Sequence, residues 1–146
     1  MDGDAFRREL FDAAWGMQRA LRETMAPICQ KHGVTVQQLY VMTNLARTPG
    51  ATASELSERS GILRTNFTAL SRKLEEAGLV ERRRSEQDKR SLKLYLTEEG
   101  RGLLRAVEEG ARQRFDPVIE EEPSETLEAI SEGLGALGGL VGKLEG

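Results

Sequence analysis

Only one cysteine, Cys29, occurs in the 146 residues. An intramolecular disulfide is therefore impossible, and a cysteine-built metal cluster has no ligands to draw on. The single histidine, His32, stands three residues further on with no carboxylate placed to orient it. The pair makes no nucleophile–base–orienter set. No glycine-rich phosphate loop and no zinc-ligand spacing occurs either. An enzyme would have to work with carboxylates alone, so the expectation is a protein without catalytic residues, metal or cofactor. Long apolar runs are also absent, which leaves no membrane span. Residues 1–8 mix acids and bases without an apolar stretch, so no signal peptide is read there. With 38% apolar and 31% charged residues, the reading is one globular, cytoplasmic domain with a real core.

Net charge is −3, which by itself argues against a polyanionic partner. The distribution reverses that. Residues 1–60 are balanced at seven Lys/Arg and seven Asp/Glu. Residues 61–96 carry nine against five, and residues 97–146 carry five against twelve. A basic middle between neutral and acidic flanks is the footprint of a polyanion site. A solvated charged surface explains the acids but not the ordering of the bases.

Apolar residues recur at steps of three and four over 4–30 (Phe6, Leu10, Ala13, Ala14, Met17, Leu21, Met25, Ile28), which predicts a long first helix. Pro27 is expected to kink or end it, with His32 and Gly33 closing it. Thr35 with Gln38, and Thr52 with Glu55, read as two capping boxes that open two further helices. A fourth helix is predicted over 63–77. Leu63, Phe67, Leu70 and Leu74 make its apolar stripe. Arg64, Thr65, Asn66, Thr68, Ser71, Arg72 and Lys73 make its polar face, and those residue types bond bases and phosphates. Gly78 fits a left-handed helix cap, with Leu79 as its apolar contact.

Residues 80–84 and 91–96 read as two short strands, with Leu92, Leu94 and Leu96 on one buried face. The all-polar connection 85–90 projects from them as a hairpin tip. Thr97 caps the next helix, which Pro117 is expected to interrupt. The last helix carries Leu127, Ile130, Leu134, Leu137, Val141 and Leu144 on one face, together with five glycines. Each interior glycine weakens a helix by roughly 0.5–1 kcal/mol relative to Ala, so this helix needs a partner surface or frays. The fold class is mainly α with a small β-hairpin wing, a winged helix-turn-helix over 35–100. Apolar helices over 1–34 and 101–146 flank it, and a second copy of the chain is the expected cover for them.

In order along the chain, Ser54-Glu55-Leu56, Phe67-Thr68, Arg72-Lys73-Leu74-Glu75, Gly78-Leu79-Val80, Asp88-Lys89-Arg90-Ser91 and the 94–100 stretch ending Leu96-Thr97-Glu98-Glu99-Gly100 resemble the MarR family. Those proteins are bacterial winged-helix transcription regulators, named for multiple antibiotic resistance. Nearly the whole chain fits the resemblance. It departs at Leu63, where the family often has Ser or Thr, and at Cys29, which is far from the early-helix position of the family's peroxide-sensing cysteines. The resemblance implies a homodimeric repressor on a palindromic operator in double-stranded DNA, released by a small aromatic or phenolic effector. It makes Trp15, Met17, Leu21, Met25, His32 and Tyr40 the candidates for the effector pocket. Physical reading puts Arg64, Thr65, Asn66, Thr68 and Arg72 against base edges. It puts Ser71, Lys73 and Ser54 on phosphates, and Arg90 of the wing in a minor groove. Asp88 is expected to pair with Arg90 and hold it extended, while Lys89 and Arg84 add unspecific attraction. Two other classes stay open at this point: a winged-helix module that binds protein, and a redox sensor acting through Cys29.

Overall fold

A computed structural model describes all 146 residues. Its elements in order are α1 (Gly3–Lys31), α2 (Val36–Arg47), α3 (Ala53–Ser60), α4 (Arg64–Glu76), β1 (Val80–Arg84), β2 (Leu92–Leu96), α5 (Glu98–Glu121) and α6 (Ser124–Glu145). This is the winged helix-turn-helix order. Both expected capping boxes form. Thr35 and Thr52 accept from the backbone N–H three residues on, and the Gln38 and Glu55 side chains reach back to the cap N–H. Each box satisfies two of the N–H groups that a helix start leaves orphaned. Gly78 takes φ +74° and turns the chain out of α4, while Leu79 is buried beyond it.

Two compact units divide the chain, Met1–Gly110 and Ala111–Gly146. The first is built around Val41, Met42 and Leu45 of α2, Leu56 of α3, and Phe67 and Leu74 of α4. Val80 and Leu94 of the strands close it, with Leu104 and Val107 of α5. The strands pair antiparallel, Val80 opposite Leu96 and Arg84 opposite Leu92. The chain before α3 adds a minimal third strand. The Gly50 N–H donates to the Leu94 carbonyl and the Leu94 N–H to the Ala51 carbonyl, both at 3.0 Å. The wing is thereby fastened at its base to the start of α3. The second unit holds the end of α5 and all of α6, and α6 has no buried residue of its own.

Four expectations need correcting. α5 is not interrupted at Pro117, and α1 does not end at Pro27 but runs on to Lys31. Both prolines are exposed, and each helix continues past the one backbone hydrogen bond that its proline cannot donate. Leu63 is no part of the α4 stripe. It occupies the cap position in extended backbone, outside the helical period, and is 71% exposed. Leu92 sits at the tip end of the hairpin, opposite Arg84, and is exposed, while Leu94 and Leu96 are buried. No helix is long and apolar enough to cross a membrane.

Candidate nucleic-acid interface

The amphipathic period of α4 sorts its residues. Phe67, Leu70, Ser71 and Leu74 are buried, and Arg64, Thr65, Asn66, Thr68, Arg72 and Lys73 are exposed. Ser71 therefore leaves the polar face on which it was expected. It lies one position from Leu70 and four from Phe67, on the buried side. Its hydroxyl donates to the Thr68 carbonyl and accepts from the Arg82 guanidinium at 3.1 Å. It offers nothing to a ligand. The Thr68 hydroxyl donates to the Arg64 carbonyl at 3.0 Å, which leaves its oxygen lone pairs free. No carboxylate pairs with Arg72 or Lys73.

Strand alternation sets the arginines of β1 to different tasks. Val80, Arg82 and Arg84 share one face, Glu81 and Arg83 the other. Since Val80 is buried, Arg82 points the same way, toward α4. Its Nε lies 2.9 Å from Glu75 Oε2, so one side chain ties the wing to the recognition helix through Glu75 and Ser71. The period-two pattern around the buried Val80 is the sequence signal for that role. On the opposite face the Arg83 guanidinium lies 4.6 Å from the Tyr95 ring centroid and pairs with Glu81. A stacked cation of this kind stiffens the strand.

Asp88 does not pair with the Arg90 side chain. Its Oδ1 accepts from the Arg90 backbone N–H at 3.0 Å and its Oδ2 from the Ser91 hydroxyl at 3.3 Å. A carboxylate folded back on the N–H two residues ahead is an Asx turn. It shapes the loop and leaves the guanidinium of Arg90 unclaimed. Ser85 is buried and accepts from the Asp88 N–H. Arg84 donates to the Lys89 carbonyl at 2.8 Å. Every turn of the tip is thus held before any ligand arrives, with the Arg90 guanidinium and the Lys89 ammonium left over.

Between wing and helices lies a cleft of about 320 Å³, lined by Thr52, Ser54, Arg64, Arg82, Arg90 and Ser91 among others. It collects three arginines and no acid. The six candidate effector residues are not gathered in this way. Trp15, Met17, Leu21 and Tyr40 are exposed, Met25 packs against the core, and His32 is half-buried. Trp15 and Met17 are two residues apart on one helix and face different directions. A second, apolar cavity of about 250 Å³ is lined by Val36, Gln37, Tyr40, Ser60 and Ile62, and takes in Tyr40 alone of the six. Cys29 is fully buried, and burial pushes its thiol pKa up. Both facts oppose thiolate formation, and with it the redox reading.

The MarR family model matches residues 32–91, the wing and its helices. The regulator FarR of Neisseria gonorrhoeae is 32% identical over 103 residues, 70% of each chain. Among solved structures, the transcriptional repressor CouR bound to a 23-mer DNA duplex superposes with a TM-score of 0.78. It is 27% identical, with 94% of this chain and 98% of that one covered. NadR in complex with 4-hydroxyphenylacetate gives a TM-score of 0.72 at 29% identity, covering 86% of this chain and 89% of that one.

Proposed function

The chain belongs to the MarR family of winged-helix DNA-binding transcription regulators, and we propose that it acts there as a homodimeric repressor on a palindromic operator. The observation that carries this is the free basic and amide face of α4 beside a wing whose tip is already ordered. Thr65, Asn66, Thr68 and Arg72 enter the major groove, where Asn suits adenine and Arg suits guanine. Lys73 holds a flanking phosphate, and Ser54 another. Arg90, with Lys89 beside it, extends into the adjacent minor groove, where a narrow A·T tract concentrates negative potential.

One such unit reads too few base pairs to be selective. Two related by a two-fold axis read half-sites about one helical turn apart. The apolar side chains left in water fit that assembly. Phe11, Trp15, Met17 and Leu21 of α1 are each at least half exposed, as are Ile130, Leu134 and Leu144 of α6. Stripes of this size mark a protein interface. On this reading residues 1–34 and 101–146 supply the dimer and 35–100 the DNA contacts.

Release by a small aromatic or phenolic anion completes the proposal. Its support is the family, together with the 4-hydroxyphenylacetate complex of the similar NadR. Dimerisation would have to bring Trp15, Met17, Leu21, Met25, His32 and Tyr40 into use, since the single chain spreads them out.

The test is a set of variants measured on a preferred duplex and a scrambled one. Asn66→Ala and Arg72→Ala are expected to lose preference, about 1–3 kcal/mol each on the preferred duplex. Arg90→Ala is expected to weaken binding to both. Unchanged affinity for Arg90→Ala together with unchanged preference for the other two would refute the interface.

A further inference from the structure

We propose that the cleft between α3, α4 and the wing seats one backbone phosphate of the DNA, and that Arg64 grips this phosphate instead of reading a base. The inference rests on the DNA-binding reading of the same face and assigns Arg64 a different task within it.

Arg64 opens α4, but its guanidinium is not aimed outward with Thr65 and Asn66. Nη1 lies 2.6 Å from Ser54 Oγ, which draws the side chain back across the cleft toward α3. There it lines the same space as Arg90. Neither guanidinium has a carboxylate partner. The third arginine, Arg82, is already neutralised by Glu75 at 2.9 Å. Two unpaired cations converging on a cleft without an acid repel each other until an anion enters.

The backbone adds donors of the right kind. In the first turn of α3 the capping box occupies the N–H groups of Thr52 and Glu55. Those of Ala53 and Ser54 have no acceptor within the helix and stand at its positive end. The Ser54 hydroxyl, having accepted from Arg64, keeps its own proton to donate. Guanidinium, hydroxyl and helix-start N–H groups together make an oxyanion site.

The source of the oxyanion follows from where the cleft lies. A recognition helix in the major groove and a wing in the neighbouring minor groove straddle the one strand of backbone that separates the grooves. That strand passes over the space between them. Phosphate contacts at this point set register and orientation and carry no sequence information.

The experiment titrates the wild-type chain, Arg64→Ala and Arg64→Lys onto two duplexes over a series of salt concentrations. One duplex carries the DNA upstream of the chain's own coding region, the other a scrambled sequence. Arg64→Ala is expected to weaken binding to both by a common factor of about ten. The slope of log affinity against log salt should fall by about one. Arg64→Lys should keep the slope and lose part of the affinity, since it retains the charge without the fork. A loss confined to the first duplex with the slope unchanged would make Arg64 a base reader and overturn the proposal, as would no change on either. If wild type shows no preference between the duplexes, the operator reading fails, while the slope on both still judges the cleft. Calorimetric titration of inorganic phosphate into the DNA-free chain is expected to give no saturable heat. Saturable binding below millimolar that disappears in Arg64→Ala would reassign the cleft to a free oxyanion.

Discussion

Gly100 is where the end of the recognition helix is locked to the start of α5. A Cβ built there would lie 2.1 Å from the Leu79 carbonyl oxygen, 3.1 Å from its carbon and 3.3 Å from Leu96 Cδ2. Ordinary contact needs about 3.5 Å, so Gly100→Ala must push α5 off the 78–79 turn by roughly 1 Å. That turn is bonded to the same segment. The Thr97 hydroxyl donates to the Gly78 carbonyl at 2.6 Å, and the Thr97 N–H to the Leu79 carbonyl at 3.1 Å. Losing both is worth about 2 kcal/mol, and repacking around Leu96 and Leu104 costs about 1–3 kcal/mol more. Alanine returns about 1 kcal/mol of helix propensity. The expected net loss is about 2–4 kcal/mol, a large share of a domain's roughly 5–15 kcal/mol. Urea unfolding followed by circular dichroism at one fixed chain concentration should show the midpoint falling by roughly 1–2 M. Gly102→Ala, two residues on, is the control. Its Cβ meets only Arg105 Nη2 at 3.8 Å, so it should stabilise by about 0.5–1 kcal/mol. A Gly100→Ala midpoint equal to or above wild type would refute the reasoning.

Arg82→Ala removes the tie between wing and α4. It should cost about 1 kcal/mol, discounted because the pair is about one-third exposed, and DNA affinity should fall on every duplex alike. Asp88→Ala should leave global stability within about 0.5 kcal/mol, while amide hydrogen exchange over 85–91 quickens and DNA binding weakens several-fold. Unchanged exchange would mean the Asx turn is not what orders the tip. Cys29 should resist a thiol reagent at neutral pH in the folded chain and react fully in urea, because burial raises its pKa and closes access. Release of DNA by peroxide would contradict that.

What the sequence disclosed follows from the range of the forces involved. Capping boxes, the left-handed Gly78 and the antiparallel hairpin are local: a few neighbouring residues and one hydrogen-bond pattern decide them, and each appears as read. The prolines end neither helix, because packing along a long helix overrides the local rule. Pro27 is itself exposed but directly precedes Ile28, which packs against the core, and Cys29, which is part of it. Ser71 and Asp88 depart from expectation for another reason. A Ser71 hydroxyl suits a phosphate and an Asp88 carboxylate suits the Arg90 guanidinium, but only the fold shows that Arg82 claims the first and the loop's own N–H claims the second. The effector residues were named from family likeness, and no local signal gathers Trp15 with His32 and Tyr40. Distance in space, not residue type, decides such a pocket.

The measurement that bears most directly on the central claim is a titration of the purified chain onto a fluorescent duplex carrying the DNA upstream of its own coding region. A scrambled duplex runs in parallel at two salt concentrations. A sequence-specific dimeric repressor predicts tight binding to the first duplex alone, at one dimer per site, with affinity falling steeply as salt rises. Failure to bind either duplex at low salt would contradict it, and would turn attention to a protein partner for the same basic face.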